Sequence, residues 1–557
     1  MKRSLLLLLA LFMLLTFSSC SSGNFGDSPI VGGGVNEKPS DDFEFTPPND
    51  NPKSDVQVSA WTAHSYAKIA ANGTAPMSGA TSYKVYMAKR ETEGCQIAFR
   101  PETDCELTLS CTYKEEGSLE YKAFVFDTNY EINGSLLPDP AKQYAEGTSF
   151  TCKAGKTLPF LIEFTSLSGT KEGHYPYVFE LRDKSDKTVM QFVIIVRVWD
   201  ITLPEKLSYQ SSVTVSKKDI ANYFSVSEEE ITDDIYLNYY NLLLDHNMSA
   251  RDLPYDILDP RADAYMSDPR VTAFRVPHDV SDETLAAYYK KLKTNTAWLK
   301  KAYFMPAGEL ASVEEIDEFC LEAIHLQSIC KSIKITCPIN KIIQIDPRGW
   351  DQINAMKGFC TLWCPKLCLW DDEVSYGEHD YEHSMSFEAR MRKMMSEDFG
   401  VWTYLSYTPG EPYTALVVNH SGLNQRAVFW QQYMRGIHGF VYWSSTAWSV
   451  FNKVDPWQSV DTGLYDDKGN HVYGDGILFY PEKSVTDDPT VSLRMKIMRD
   501  GIDDIELLMY AAKTLGNKWV NEKVNSISSS LTSIEATDDV FAQIRIEIGS
   551  ALEKALP

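Results

Sequence analysis

The pattern of apolar and polar positions divides the chain into two regions. From about Val56 to Val198, short alternating or β-branched runs such as Phe160–Phe164 and Phe192–Val198 are separated by turn residues. Strands at this spacing, without long helical periods between them, are typical of a β-sandwich. We therefore predict a β-sandwich domain over residues 55–203, with a junction at Leu203-Pro204-Glu205.

Beyond that junction, strand patterns alternate with helical patterns. Strand candidates lie near 207–214, 248–253, 271–276, 301–306, 333–338, 358–364, 400–406 and 439–444. Ser312-Val313-Glu314-Glu315 is a capping box that predicts a helix running to about Cys330. Eight strands with crossover helices favour an α/β fold, a (β/α)₈ TIM barrel with C-terminal helices over 204–557. No glycine-rich dinucleotide fingerprint or phosphate loop is present, and we predict no cofactor.

The N-terminus has the features of an export signal. Lys2 and Arg3 precede the apolar run Leu5–Leu15, which is shorter than the ~20 residues of a spanning helix. Thr16-Phe17-Ser18-Ser19-Cys20 resembles a bacterial lipobox, in which the cysteine is lipidated. We predict a signal peptide over 1–19, a lipid-anchored flexible linker over 20–54, and an outer-membrane lipoprotein of the cell envelope. A plain secretory signal with an incidental Cys20 is the alternative.

The net charge and the cysteine pattern limit which ligands the protein is expected to bind. The formal net charge of −24 argues against a general nucleic-acid binder, because a phosphate backbone requires a basic surface. We expect membrane contact through the lipid anchor only. Cys360, Cys364 and Cys368 recur every four residues, but Pro365 interrupts any helix there, so buried thiols are favoured over a metal site.

A second motif suggests metal chemistry. His379-Asp380-Tyr381-Glu382-His383 matches H-x-x-E-H, which on a helix could hold zinc with Glu382 as a base. The helical pattern begins only near Ser386, so a solvated helix entrance is favoured and no metal is predicted.

Aromatic residues are concentrated near the last predicted strand, where Trp430, Trp443, Trp448 and Trp457 fall within 28 residues. Indole faces stack on the apolar faces of sugar rings, whereas ordinary packing accounts for Trp430. The residues predicted to bind substrate are Tyr404, Tyr442, Trp443 and Trp448.

Carboxylates follow several predicted strands. The positions concerned are Glu309, Asp346, Asp371-Asp372-Glu373 and Glu411. In a parallel barrel, functional groups lie where strands end. Paired carboxylates at such positions suit glycoside hydrolysis, in which one acid protonates the leaving oxygen and a second group stabilises the cationic sugar.

Several sequence blocks resemble glycoside hydrolase family 123. They are Gly400–Tyr404, Arg426–Tyr433, Gly439–Ser444, Asp475–Pro481, and Ser492–Arg494 through Arg499–Glu506. The resemblance implies a β-N-acetylgalactosaminidase that uses the substrate's acetamido group as nucleophile. An adjacent Asp-Glu pair would then stabilise the acetamido group and act as general acid/base.

The chain departs from that pattern, because Glu309 takes the position of the acid and Gly308 that of the aspartate. We predict a glycoside hydrolase acting on a glycan, with Glu309 as proton donor and Asp372, Glu373 or Glu411 as partner. The alternative is a non-catalytic glycan-binding lipoprotein with a degenerate site. A third class, a structural or assembly partner at the outer membrane, needs neither Glu309 nor the aromatic cleft. The charged stretch between Arg494 and Glu506 is expected to be a salt-linked, exposed helix face.

Overall fold

The computed structural model describes residues 43–48, 53–77, 79–346, 350–371, 385–397, 399–450 and 455–556. Cys20 with the predicted signal peptide, Asp372, Glu373 and the H-x-x-E-H motif lie outside these residues. The described residues all belong to one unit, Phe43–Pro557.

The described chain up to Thr202 is made of strands, as predicted. They are β1 Val58–His64, β2 Ser82–Lys89, β3 Thr92–Pro101, β4 Cys105–Lys114, β5 Glu120–Val125, β6 Asn129–Ile132, β7 Ser135–Pro138, β8 Lys142–Tyr144, β9 Phe150–Cys152, β10 Leu158–Thr165, β11 Gly173–Asp183 and β12 Thr188–Thr202. Two five-stranded sheets have the orders β1-β3-β10-β5-β8 and β2-β12-β11-β4-β9. All the ladders in them are antiparallel except β2–β12, which is parallel.

Alternation of side chains along these strands supplies the core between the two sheets. Ile97 and Phe99 of β3 share one apolar cluster with Phe179 of β11 and Ile194 of β12, all at most 1% exposed. Because successive residues of a strand point to opposite faces, each strand contributes every second residue to this layer.

Beyond Thr202, the chain contains the predicted alternation of strands and helices. The strands are β13 Gln210–Val213, β14 Phe274–Arg275, β15 Ala302–Phe304, β16 Lys334–Ile335, β17 Pro338–Ile339, β18 Leu362–Pro365, β19 Gly400–Val401, β20 Thr403–Tyr404, β21 Gly439–Tyr442, β22 Asp461–Tyr465, β23 His471–Tyr473, β24 Phe479–Tyr480 and β25 Thr490–Val491. The helices are α1 Lys217–Phe224, α2 Asp233–Asp245, α3 Ala262–Ser267, α4 Asp282–Leu292, α5 Thr296–Lys301, α6 Val313–Ile329, α7 Gln352–Met356, α8 Phe387–Ser396, α9 Gly422–Arg435, α10 Leu493–Leu515, α11 Asn517–Asn525 and α12 Asp538–Ala555.

The regular ladders between β13 and β21 are all parallel, but they form three separate three-stranded sheets. Their orders are β13-β21-β20, β14-β15-β16 and β17-β18-β19. A continuous eight-stranded barrel sheet is therefore not established by the regular strand pairing. Short strands explain this result, since most of them span only two to four residues.

Local sequence signals locate the helices well. The Ser312 hydroxyl accepts a hydrogen bond from the backbone N–H of Glu315 at 3.2 Å, so α6 begins at the predicted capping box. The region from Asp282 to Trp298, predicted as one helix, is divided between α4 and α5. Asn295 caps α5, because its side-chain oxygen accepts from the backbone N–H of Ala297 at 2.9 Å.

The charged stretch on α10 corrects a prediction, because it is salt-linked but buried rather than exposed. Arg426 of α9 binds Glu93 of β3 at 2.7 Å and Asp504 of α10 at 2.8 Å. Arg499 of α10 binds Glu163 of β10 at 2.8 Å. All five side chains are at most 7% exposed. Ion pairs therefore join strands β3 and β10 to helices α9 and α10.

Two other features bear on the alternatives. Cys360 and Cys364 are fully buried in the hydrophobic cores, which agrees with the favoured role of packed thiols. Within the described part of the chain, no group of three His, Cys, Asp or Glu side chains could hold a metal ion. The same residues contain no helix that is both long and apolar enough to cross a membrane.

Candidate functional site

The candidate site lies at the carboxyl ends of the parallel strands, where the side chains change from apolar to polar. Below this edge, Tyr303, Trp402 and Val441 belong to one buried cluster. The Tyr303 hydroxyl is 2.5 Å from the Ser212 hydroxyl, and the Tyr303 and Trp402 rings meet edge to face with centroids 5.0 Å apart. This packed layer supports the polar residues that follow.

Glu309 lies at this edge, in the loop after β15, and its side chain is exposed. The Tyr404 hydroxyl, from the end of β20, donates a hydrogen bond to Glu309 Oε1 at 2.5 Å. Burial, reinforced by the Glu309 carboxylate, holds the pKa of Tyr404 well above its usual value of 10.0. Tyr404 therefore remains a hydrogen-bond donor at neutral pH and orients Glu309. Tyr404 is 8% exposed and packs in the same buried cluster as Tyr303 and Trp402, so only a small part of it is available to a ligand.

Gly308, which precedes Glu309, is not required by the backbone. It is absent from the residues with positive φ among those the structure describes, and a Cβ added there would meet no atom within 4 Å. The loop would therefore accept a side chain at position 308.

Trp443, directly after β21, is the exposed aromatic residue of the site, at 38%. Its indole N–H donates to Asp475 Oδ2 at 2.9 Å. Gly476 lies under the ring, because a Cβ there would come 2.4 Å from Trp443 Cζ2. The residue has φ of +76°, which glycine adopts readily. The indole is thus held at its edge by a carboxyl group and packed over a glycine.

Asp475 is only 2% exposed and accepts a second hydrogen bond, at 3.1 Å, from the Tyr442 hydroxyl. Burial raises the pKa of Asp475 to about 6, although the bonds from Trp443 and Tyr442 oppose the shift. The segment that carries Asp475 is itself fixed by Arg494 of α10. The Arg494 guanidinium donates to the Gly474 carbonyl at 2.6 Å and also to the Ile477 carbonyl.

The pKa of Tyr407 responds to both carboxyl groups of the site. Burial raises it first, and the negative charges of Asp475 and Glu309 raise it further.

Trp448 and Tyr442, which were predicted to contact the substrate, are almost completely buried and are not available to a sugar. Trp448 is 3% exposed, and its indole N–H donates to the Phe479 carbonyl at 2.8 Å. The loop after β21 returns into the core, which buries that ring. Tyr442 is 1% exposed and acts beneath the surface through Asp475. Trp430, expected to be a packing residue, is buried at 1%.

The predicted partner carboxylates have different placements. Glu411 is exposed in the loop after β20, and its backbone carbonyl accepts a hydrogen bond from Lys468. Asp371 contacts Arg435 at 3.5 Å. Asp346 accepts from the Trp350 backbone N–H at 3.3 Å. Asp372 and Glu373 lie outside the described residues, so their part in the site stays a prediction.

Sequence reasoning missed two groups at the strand ends. Asp475 stands in a block that resembles the family, but nothing in the local sequence indicates that it supports Trp443. The cations were also missed. Lys366, after β18, donates to Asn340 Oδ1 at 2.6 Å, while Arg251 and Arg275 share the carboxylate of Asp252. Their signal was position alone, each ending or following a strand.

Two comparisons with known proteins concern the family and the fold of this chain. Residues 367–511 match the family described as "Glycoside hydrolase 123, catalytic domain". A family 123 glycoside hydrolase from Clostridium perfringens, studied for glycolipid glycan hydrolysis, has a similar fold. Its TM-score is 0.60 at 12% identity, covering 89% of this chain and 98% of that one.

The predicted resemblance to glycoside hydrolase family 123 is confirmed. The match and the shared fold support a glycoside hydrolase. The matched segment contains Tyr404, Trp443 and Asp475, whereas Glu309 lies before it.

Other comparisons add little to this result. The N-terminal domain of PorA is 10% identical, with a TM-score of 0.16, covering 25% of this chain and 97% of that one. A Niemann-Pick type C2 protein from the Japanese carpenter ant is also 10% identical, with a TM-score of 0.12, covering 20% of this chain and 78% of that one. Both scores are too low to carry an argument. No curated protein matches the chain.

Proposed function

We propose that this protein hydrolyses glycosidic bonds, with Glu309 as the group that protonates the leaving oxygen. The observation that carries the proposal is the hydrogen bond of 2.5 Å between Tyr404 and Glu309 at the strand ends. It fixes an exposed carboxyl group in a fold shared with a family 123 glycoside hydrolase. A general acid must be positioned before it can transfer its proton to the glycosidic oxygen.

The proposed frame for this site is a (β/α)₈ barrel closed by single bridges. Val213 bridges Ala250 in parallel, and the Arg275 N–H donates to the Arg251 carbonyl at 2.7 Å. The Thr361 N–H donates to the Ile335 carbonyl at 3.0 Å, and Lys366 bridges Tyr404 in parallel. These links join the three parallel sheets in a ring that supports the proposed barrel.

Trp443 is the proposed platform for a sugar ring. Its face is exposed after the end of β21, and the bond from its N–H to Asp475 limits rotation of the ring. An aromatic face held in one orientation costs little conformational entropy on binding. Asp475 is a positioning residue in this scheme, because both its oxygens bond to protein groups.

The second carboxyl group is proposed to come from Asp372, Glu373 or Glu411. Glu411 is exposed on the loop that follows Tyr404, which supports it among these three. It would act as a base or nucleophile, according to its separation from Glu309 in the complex with substrate.

A glycan-binding protein without turnover is the second candidate, and Gly308 is the observation in its favour. Without the neighbouring aspartate, the acetamido group of a hexosaminide has no carboxylate at that position to stabilise its developing charge. Such a protein would retain Trp443 and lose only the chemistry.

Hydrolysis of 4-nitrophenyl glycosides separates the two candidates. We expect the wild type to release nitrophenol from at least one sugar and Glu309→Gln to release none above background, while both bind that sugar equally. Glu314→Gln, which changes an exposed glutamate in the first turn of α6, is the matched control and should behave like the wild type. Binding without release by the wild type would favour the glycan-binding protein.

We further propose that the protein is exported and anchored by a lipid on Cys20. The support is the short apolar run that ends at Ser19-Cys20. A glycan at the cell envelope would then be its substrate.

A further inference from the structure

Three cations lie at or just after the carboxyl ends of the parallel strands. Arg275 ends β14, Lys366 follows β18, and Arg251 with Asp252 follows Ala250, which bridges Val213 at the end of β13. Guanidinium groups that outnumber their nearest carboxylate attract anions.

Two of these cations form a fork around Asp252. Arg275 Nε donates to Asp252 Oδ1 at 2.7 Å, and Arg251 Nε donates to Asp252 Oδ2 at 3.1 Å. The side chains of Arg251 and Arg275 are 27% and 28% exposed. One carboxylate neutralises only one of two guanidinium groups, and Arg275 makes no side-chain hydrogen bond through its terminal amino groups to the described residues.

The fork adjoins the candidate site. Arg275 pairs with Tyr303 across β14 and β15, and β15 leads into the loop that carries Glu309. The charges of Arg251, Asp252 and Arg275 all act on the pKa of the buried Tyr303 hydroxyl, which belongs to the packed layer of the site.

A cavity of about 450 Å³ opens beside this fork and is lined by Arg275 and Asp252. Other acids in its wall are already engaged. Asp259 pairs with Arg261 at 2.7 Å, and Asp256 accepts from the Tyr288 hydroxyl and, at 2.8 Å, from the Leu258 N–H. Among the cations in this wall, Lys217 and Arg261 pair with Asp233, each at 3.5 Å, whereas both terminal amino groups of Arg275 make no hydrogen bond to the described residues.

From these contacts we infer that Arg251 and Arg275 bind a negatively charged substituent of the glycan, a sulfate ester or a carboxylate. A planar guanidinium matches either group with two parallel hydrogen bonds. The inference rests on the proposed function for the location of the glycan, and it narrows the substrate class to anionic saccharides.

Calorimetric titration of the full chain with three saccharides tests this inference. The probes are N-acetylgalactosamine, N-acetylgalactosamine 6-sulfate and galacturonic acid. We expect at least one charged saccharide to bind about tenfold or more tightly than the neutral one, and to bind more weakly as salt is raised. The sulfated and carboxylated arms identify which substituent is recognised.

Arg275→Gln should remove that preference and leave binding of the neutral sugar unchanged. Arg270→Gln is the matched control, because Arg270 also pairs with an aspartate, at 2.8 Å, but precedes β14 at the opposite end of the strand. Asp252→Asn should have the reverse effect and tighten binding of the charged sugar. It also keeps the test decisive if Arg275→Gln unfolds.

Equal affinity for all three saccharides, no binding of either charged one, or retention of the preference in Arg275→Gln overturns the inference. Failure of the proposed function has a different signature. If an anionic saccharide binds in a way that depends on Arg275 but no glycoside is hydrolysed, the anion site is supported and the proposed hydrolase activity is rejected.

Discussion

The indole N–H of Trp443 donates to the buried carboxyl group of Asp475 across 2.9 Å. One residue offers an exposed aromatic face, and the other, 32 positions later, determines where that face lies. The orientation of the exposed ring therefore depends on a buried carboxyl group.

Replacing Asp475 should change how stability depends on pH. Because burial raises its pKa from 3.8 to about 6, the folded state keeps the proton between about pH 4 and 6 while the unfolded chain loses it. Below pH 4 the carboxyl group is protonated in both states and does not penalise folding. As the pH rises through 6, ionisation of the buried group lowers the free energy of unfolding by up to about 3 kcal/mol. Urea unfolding of the wild type and Asp475→Asn from pH 4 to 8 should show the variant gaining relative stability with pH. Parallel curves would contradict this expectation.

Trp443 and Trp448 make a matched pair for mutation. Trp443→Ala should weaken glycan binding by about 1 kcal/mol or more, with little change in stability, since its face is exposed. Trp448→Ala should instead destabilise the fold by about 3–5 kcal/mol, because it empties a core position. Calorimetric binding and urea unfolding of both variants measure the two effects. Unchanged binding in Trp443→Ala would locate the sugar platform elsewhere.

Gly308→Asp tests the role of the missing carboxylate. The wild type should release N-acetylgalactosamine from an aryl glycoside slowly or not at all. Space around Gly308 and its ordinary φ allow a side chain, so the variant should fold normally. Restoring a carboxylate that stabilises the acetamido group should raise the rate by as much as ~10²–10³.

Gly308→Asn is the control, since it adds similar bulk without the charge. Brisk release by the wild type would mean that another group already performs this role. No gain in Gly308→Asp would point to a substrate without an acetamido group.

The buried ion pairs should be essential to stability. Arg426→Met removes one of the two cations that pair with the buried Glu93 and Asp504, the other being Arg545, and we expect a loss of about 3–5 kcal/mol in the free energy of unfolding. Arg392→Met, which breaks the exposed pair with Glu388, should cost less than about 1 kcal/mol. Similar urea midpoints for the two variants would contradict the assigned burial.

Lipidation predicts a change in fractionation. Cys20→Ser should move the protein from the membrane pellet to the soluble fraction of expressing cells, because a lipid anchor is the expected attachment. Equal partitioning of the two forms would remove the anchor from the proposal.

The sequence allowed prediction of features that depend on neighbouring residues, such as the α6 cap at Ser312 and the strand before Trp443. It did not reveal the burial of α10, because Arg499 and its partner Glu163 lie 336 positions apart. The same limit applies to Trp448. The indole of Trp448 suggested a sugar contact, but the loop turns back toward Phe479 and places that ring in the core.

Arg494 has a consequence for how the polypeptide can be divided. Arg494 is fully buried and binds Asp139, which belongs to the strand-rich region before Thr202, at 2.7 Å. It also donates hydrogen bonds to the carbonyls of Gly474 and Ile477, on either side of Asp475. A truncated chain that begins after β12 would leave this guanidinium without its counter-ion, next to the segment that supports Trp443. The strand-rich region and the helical region are therefore not independent modules, and the strand-rich region is a structural support of the candidate site.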